Sequence, residues 1–197
     1  MNIRKYNTMD FSQLARVYQS AFAEPPWDEF KKCLTCGINY GIEEVKNAGS
    51  ICKKCSNPLN LIDFWSDEEI RKDIDFANAQ ESPIFLVAEL EEKIKGTTWG
   101  YRLPLTKFPF LKGKVNLDAN YMDEIAVAGD SRRKGIGNLL CTKYIEIVKA
   151  NKISEIVLRT DQRNTASMSL FSKLRFNSLC VTDPEFSWRL YLSRRFK

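Results

Sequence analysis

The chain has 197 residues, 44% of them hydrophobic, enough for one substantial core with a small appendage and too few for two full domains. A net charge of +5 is a mild excess and argues against a nucleic-acid binder built on a basic surface. Met1 to Lys5 carry no signal-type apolar stretch and no run approaches the ~18 apolar residues of a membrane span, so a cytoplasmic, non-membrane protein is expected.

Residues 2 to 6 read as a first strand. The next run places Phe11, Leu14, Val17, Tyr18, Ala21 and Phe22 on one helical face, with Asp10 as the expected N-cap. Pro25 and Pro26 stop that helix near Glu24. Two Cys-x-x-Cys pairs follow, Cys33/Cys36 and Cys52/Cys55, with fifteen residues between them, the arrangement of a four-cysteine zinc ribbon. Each pair can wrap a tight turn about one metal, and Gly37 suits the backbone of such a turn. A closed tetrahedral sulfur site holds structure and leaves no position for catalysis. Iron in a similar sulfur site and two disulfides are the competing readings, the disulfides being disfavoured in a cytoplasmic compartment. We place the insertion at 30–60, between the first two helices of a single domain spanning 1–197. Cys141 and Cys180 read as core thiols of a helix and a strand.

Beyond the insertion, Ser66-x-x-Glu69 is a capping box opening a second helix with Ile70, Ile74 and Ala77 inward. Ile84 to Glu89 and Lys93 to Arg102 read as antiparallel strands joined by a short acidic turn. Leu103 to Asn120 shows no clear period, so it is a long loop whose Phe108 and Phe110 either line a pocket or pin the loop to the core. A strand-like run at Ile125 to Val127 precedes a helix whose Ile136, Leu140, Tyr144 and Val148 share one face. Ile153 to Thr160 reads as a strand, Asn164 to Leu174 as a helix and Phe176 to Leu179 as another strand. Phe186, Trp188, Leu190 and Leu192 alternate with other residues as in a half-buried closing strand.

At the strand-to-helix junction stands Arg132-Arg133-Lys134-Gly135-Ile136-Gly137. The first amides of a helix lack intrahelical partners and the dipole is positive there, so this junction suits the phosphates of a cofactor. Arg132 and Lys134 add charge to the same spot, whereas a solvated basic turn is the plainer alternative. The dinucleotide fingerprint does not fit, since only two of its three glycines are present.

The segment from Asp123 to Phe176 resembles the GNAT superfamily of N-acetyltransferases, whose acetyl-CoA loop has the form Arg/Gln-x-x-Gly-x-Gly/Ala. Arg132, Gly135 and Gly137 match it. Glu124-Ile125-Ala126-Val127 is similar to the family's central strand. Asn164-x-x-Ser167-x-x-Leu170-Phe171-x-x-Leu174-x-Phe176 resembles its Asn-x-x-Ala-x-x-Leu-Tyr-x-x-Leu-Gly-Phe helix. The order of elements read from periodicity is also the family's. The resemblance implies an α/β (α+β) fold with a mixed, mostly antiparallel central sheet flanked by helices. It implies acetyl-CoA as cosubstrate, held by Ile125, Ala126, Val127, Arg132, Arg133, Lys134, Gly135, Ile136, Gly137, Asn138 and Asn164. It further implies direct attack of a primary amine, on a small molecule or a peptide, in a ternary complex, with the N–H near Val127 polarising the carbonyl.

Some residues depart from the pattern. Phe171 stands where many members carry the tyrosine that protonates the leaving thiolate, and Arg159 stands where ribosomal-protein acetyltransferases place a glutamate. With no histidine in the chain, the base must be a carboxylate, a tyrosine or a water chain. Glu124 is our first candidate and Asp123 the second; alternation along the strand predicts that only one of them faces the cleft. Tyr121 and Tyr144 are candidates for the thiol proton. The ribbon can wall the acceptor groove, bind a macromolecule, support a homodimer or simply stabilise a long loop. A second class of function is a non-catalytic CoA-binding scaffold whose ribbon, through Lys31, Lys32, Lys53 and Lys54, contacts protein or nucleic acid.

Overall fold

In the computed structural model, which describes residues 1–196, the first part of the chain forms β1 (Asn2–Lys5), α1 (Phe11–Phe22), β2 (Lys31–Cys33), β3 (Asn39–Tyr40), α2 (Ile42–Lys46), β4 (Leu61–Asp63) and α3 (Asp67–Asn78). The remainder forms β5 (Ile84–Leu90), β6 (Lys93–Arg102), β7 (Asn120–Val127), α4 (Ile136–Ala150), β8 (Glu155–Asp161), α5 (Thr165–Lys173), β9 (Asn177–Ser178) and β10 (Arg189–Arg195). The main sheet runs β1-β5-β6-β7-β8-β10-β9 and is antiparallel except for the β7–β8 pair. Helices cover both faces, as the periodicity predicts.

Strand alternation divides the interior in two. On one face Leu14 and Tyr18 of α1 and Ile70 and Ile74 of α3 share a core with Val87, Trp99, Tyr121, Val157 and Tyr191. On the other, Leu140 and Tyr144 of α4 and Phe171 of α5 meet Leu86, Met122, Ile156, Leu158 and Leu192. The ribbon is a separate three-stranded sheet, β3-β2-β4, whose buried residues are Cys33, Tyr40 and Cys52. Burying a large side chain contributes about 1.5–3 kcal/mol. Ordering the backbone of residues 30–60 costs about 1–2 kcal/mol for each residue. So small a core leaves this segment dependent on further stabilisation, of the kind that a bound metal contributes.

The capping box at Ser66 and Glu69 forms as expected, and Gly37 has φ +70°. Three local expectations are corrected. Asp10 does not cap α1 with its side chain; its carboxylate accepts from the Arg4 guanidinium (2.7 and 2.8 Å) and from Asn7 N–H (2.9 Å), because a charged, bidentate arginine partner outcompetes the helix end. Cys141 is buried in α4, but Cys180 is exposed, beyond β9 and with φ +49°. The closing strand starts at Arg189, past Phe186 and Trp188, because Asp183 accepts the Glu185 and Phe186 N–H groups and holds that stretch in a turn.

Candidate active site

The β7–β8 pairing stops early. Asn120, Tyr121 and Met122 oppose Ile156, Val157 and Leu158, and no later pair forms although β7 runs to Val127 and β8 to Asp161. The strands diverge, leaving the β8-facing edge of β7 from Asp123 onward without a strand partner. A hollow of about 50 Å³ opens in the fork, with Glu124, Ile125, Arg159, Asn164 and Phe171 among its walls.

A bulge aims the carboxylates. Trp99 opposes Glu124 and Gly100 opposes Met122, so Asp123 is an extra residue. One extra residue resets the alternation of a strand. The expectation that only one of Asp123 and Glu124 faces the cleft is therefore wrong, since both line one cavity of about 690 Å³ together with Tyr121. Gly100 makes room for the bulge: a Cβ there would collide with the Tyr121 carbonyl oxygen and the Tyr144 hydroxyl. A glycine inside a strand pattern is the signal that could have revealed it.

Four of the acidic groups of this cavity are held by uncharged donors, while Asp161 is held by the Arg163 guanidinium. The Tyr101 hydroxyl donates to Asp123 (2.9 Å), Ile125 N–H to Glu124 (2.9 Å), Trp65 Nε1–H to Glu29 (2.8 Å) and the Tyr18 hydroxyl to Asp73 (3.2 Å). Burial, then the charge of Asp123, pushes the Glu124 carboxyl well above the usual carboxylate range. Burial likewise raises Glu29 and Asp73. Glu29 and Trp65 lie just outside the ribbon strands β2 and β4, so the ribbon's two legs form part of the cavity wall. Phe108 lines the cavity and also packs on Tyr121 at 5.1 Å between ring centres, so the long loop does both of the things expected of it. Phe110 packs on Tyr191. A larger open hollow of about 1020 Å³, between α1, the ribbon and the β5–β6 turn, lies apart from the fork.

The glycine loop adopts an anion-binding conformation. Arg133 (φ +62°) and Gly135 (φ +81°) are left-handed, and Gly135 precedes α4. Leu139 N–H makes the first helical bond, to the Gly135 carbonyl (3.1 Å). No backbone N–H from Arg133 to Asn138 meets an acceptor among the described residues. Such an array at a helix start is a cradle for phosphate oxygens. Gly137 admits Leu170 of α5, which would stand 3.3 Å from a Cβ there. The side chains behave otherwise than expected. Arg132 bonds Glu24 (2.5 Å) and the Ala21 carbonyl (2.7 Å), tying the loop to the end of α1. Lys134 donates to the Asp130 carbonyl (3.0 Å), and Arg133 is exposed. Ile136 is buried, so only its amide is available, and Asn164 accepts from Ser167 N–H as the cap of α5.

Phe171 is buried against Phe176 and has no proton to give. Tyr144 is removed as an acid, because its hydroxyl lies in the core bonded to Asn120 (2.5 Å) and lines neither cavity.

The four ribbon cysteines converge. Their Sγ atoms lie within 4.8 Å of one another, and Cys36 and Cys52 are 3.7 Å apart. Zinc–thiolate bonds of about 2.3 Å place tetrahedral sulfurs about 3.8 Å apart. The donor set therefore fits zinc, and all four thiols are free of disulfides. The Cys55 N–H, the Tyr40 hydroxyl and the Lys54 N–H pull the Cys52 thiol down, while Cys36 is pushed up by burial and by its thiol neighbours, as expected of thiols crowded at one point.

The model of the acetyltransferase (GNAT) family matches residues 52–176, well over half of the chain. The chain belongs to the GNAT acetyltransferase family. Streptothricin acetyltransferase A of Bacillus subtilis (strain 168) is 32% identical over 69 residues, a stretch covering 32% of this chain and only 40% of that enzyme. The PaiA N-acetyltransferase of Thermoplasma acidophilum, solved in complex with coenzyme A, superposes with a TM-score of 0.62 at 16% identity over 99% of this chain and 98% of that one. The ribosomal-protein-S18-alanine N-acetyltransferase of Escherichia coli gives 0.59 at 15% identity over 98% and 92%. At such identities these structures speak for the GNAT fold alone. No helix among the described residues is long and apolar enough to cross a membrane.

Proposed function

We propose that this GNAT enzyme moves the acetyl group of acetyl-CoA to a primary amine by direct attack in a ternary complex. The observation that carries the reading is the continuity of the fork in the sheet with the amide cradle at Arg133–Asn138. Acetyl-CoA supplies a thioester, whose diphosphate suits the cradle and whose pantetheine arm suits the unpaired edge at Ile125, Ala126 and Val127. An ammonium entering the 690 Å³ cavity meets Asp123 and Glu124 on its wall. Glu124, with its raised carboxyl, is the base that removes the amine's proton, and Asp123, fixed by Tyr101, holds the ammonium beforehand. Holding both reactants in one fork supplies much of the acceleration.

In this reading residues 30–60 form a zinc ribbon inserted in a single domain, with Cys33, Cys36, Cys52 and Cys55 as ligands and a structural metal. The non-catalytic scaffold gains no support from the ribbon's surface. Lys31 pairs with Asp63, Lys32 with Glu69 and Lys53 with Glu44, which leaves little free charge for nucleic acid.

Calorimetric titration with acetyl-CoA, followed by amine-dependent thiol release, tests the reading. Saturable binding and release support it. A folded, zinc-loaded protein that binds no acetyl-CoA would overturn it.

A further inference from the structure

The acceptor cavity holds one cation with nothing to bind. Arg163 donates to Asp161, Arg189 stands 3.7 Å from Asp183, and Lys107 Nζ lies 4.0 Å from the centre of the Phe76 ring. Arg159 makes no hydrogen bond and no ion pair among the described residues, although it lines the same cavity as Asp123 and Glu124. Its N–H groups are available to a ligand. Beside it is a second idle group. Tyr121, on the same face of the sheet and diagonal to Arg159 across the β7–β8 pair, is fully buried and its hydroxyl has no partner. The third neighbour is Tyr191, directly opposite Arg159 on β10, and its hydroxyl is already given to Asp183 (2.8 Å).

A half-buried guanidinium whose N–H groups face a cavity without a protein acceptor is open to a ligand, and a fully buried hydroxyl left unbonded is costly. Both deficits lie at one place and both are met by an oxyanion. The carboxylates of Asp123 and Glu124 on the same cavity wall meanwhile suit an ammonium. From this juxtaposition we infer that the acceptor is an amino-carboxylate: its amine docks at Asp123 and Glu124, and its carboxylate docks on Arg159 over Tyr121. This rests on the acetyltransferase reading and narrows its substrate class. Arg159 then determines specificity and takes no part in proton transfer.

Amines in matched pairs test it on the zinc-loaded protein: L-lysine against 1,5-diaminopentane, L-ornithine against 1,4-diaminobutane and L-phenylalanine against phenethylamine. The members of each pair differ only in the carboxylate. A hydrogen-bonded charge pair predicts a kcat/KM about 10- to 100-fold higher for the carboxylated member of at least one pair. In Arg159→Met that ratio should collapse toward unity with acetyl-CoA affinity unchanged. Arg159→Lys should restore part of it, and Tyr121→Phe should lower it less. Titration of each pair in the presence of CoA, followed by tryptophan fluorescence, reads binding without turnover and without any variant. Equal or better use of the plain amines in every pair, no preferential binding of any carboxylated member, or a ratio unmoved by Arg159→Met would overturn the inference. Failure to bind acetyl-CoA at all would instead overturn the parent reading.

Discussion

The two walls of the fork are made of different material. In the proposed reading the cofactor wall is backbone: the amides from Arg133 to Asn138 and the unpaired edge of β7, with Arg132 turned away to Glu24. The acceptor wall is side chains drawn from α1, α3, β6, β7, β8 and the ribbon's legs. A wall of amides depends on conformation at a few positions and tolerates most side-chain changes. A wall of side chains is the reverse: its chemistry changes with one substitution while the chain path stays put.

Substitutions on either side sharpen that contrast. Glu124→Gln should lower turnover by about 10²- to 10⁴-fold and leave acetyl-CoA affinity alone, as steady-state kinetics beside calorimetry would show. The wild-type rate should rise with pH through the raised Glu124 carboxyl, since the base must be ionised, and the variant should lose that limb. The same group affects folding. A carboxyl whose folded value is raised favours the native state below its unfolded value, and that contribution is lost as pH rises through the folded one. Glu124→Gln should therefore raise Tm more at pH 8 than at pH 5.

Gly135→Asp, which places a side chain and a negative charge at φ +81°, should weaken acetyl-CoA by about 10²-fold through strain and repulsion. Its activity at saturating acetyl-CoA should survive. Removing the metal with a chelator should melt the ribbon and raise the acceptor KM, because Glu29 and Trp65 lose their mooring, with acetyl-CoA affinity preserved. Metal analysis beside both titrations would decide it, and a loss of acetyl-CoA binding would show that the walls are not independent. The smallest effect belongs to Arg132→Ala. An ion pair this exposed contributes about 0–1 kcal/mol, so Tm should slip slightly and acetyl-CoA affinity should change less than tenfold.

The strand, glycine loop and helix of the proposed cofactor wall were legible in the sequence because they are local. A β-branched run, a glycine pair and an apolar face at 136, 140, 144 and 148 lie within one stretch of chain, and the periodicity that places them is that of the backbone. The cysteine cluster was legible for the same reason. Of the acceptor wall, Asp123, Glu124, Phe108 and the ribbon were anticipated, but its assembly was not. Glu29, Asp73 and Arg159 lie in segments far apart in the chain, and only tertiary packing gathers them around one hollow. Tyr144 was misjudged because residue type suggests a chemistry that its contact with Asn120 assigns elsewhere, and the pairing of Arg132 with Glu24 is one that residue type does not announce.

Asp123 is the odd residue in β7, and the whole strand is counted around it. Before it, Tyr121 serves one core and Met122 the other; after it, Glu124 returns to the side of Tyr121. Deleting that single position would not simply remove a carboxylate. It would turn one half of the strand over relative to the other, so that either Tyr121 and Met122 exchange cores or Glu124 leaves the cleft. At this point the chain is vulnerable to a change of length as well as to a change of letter, because the count of the strand depends on the position and the charge of the cavity on the residue.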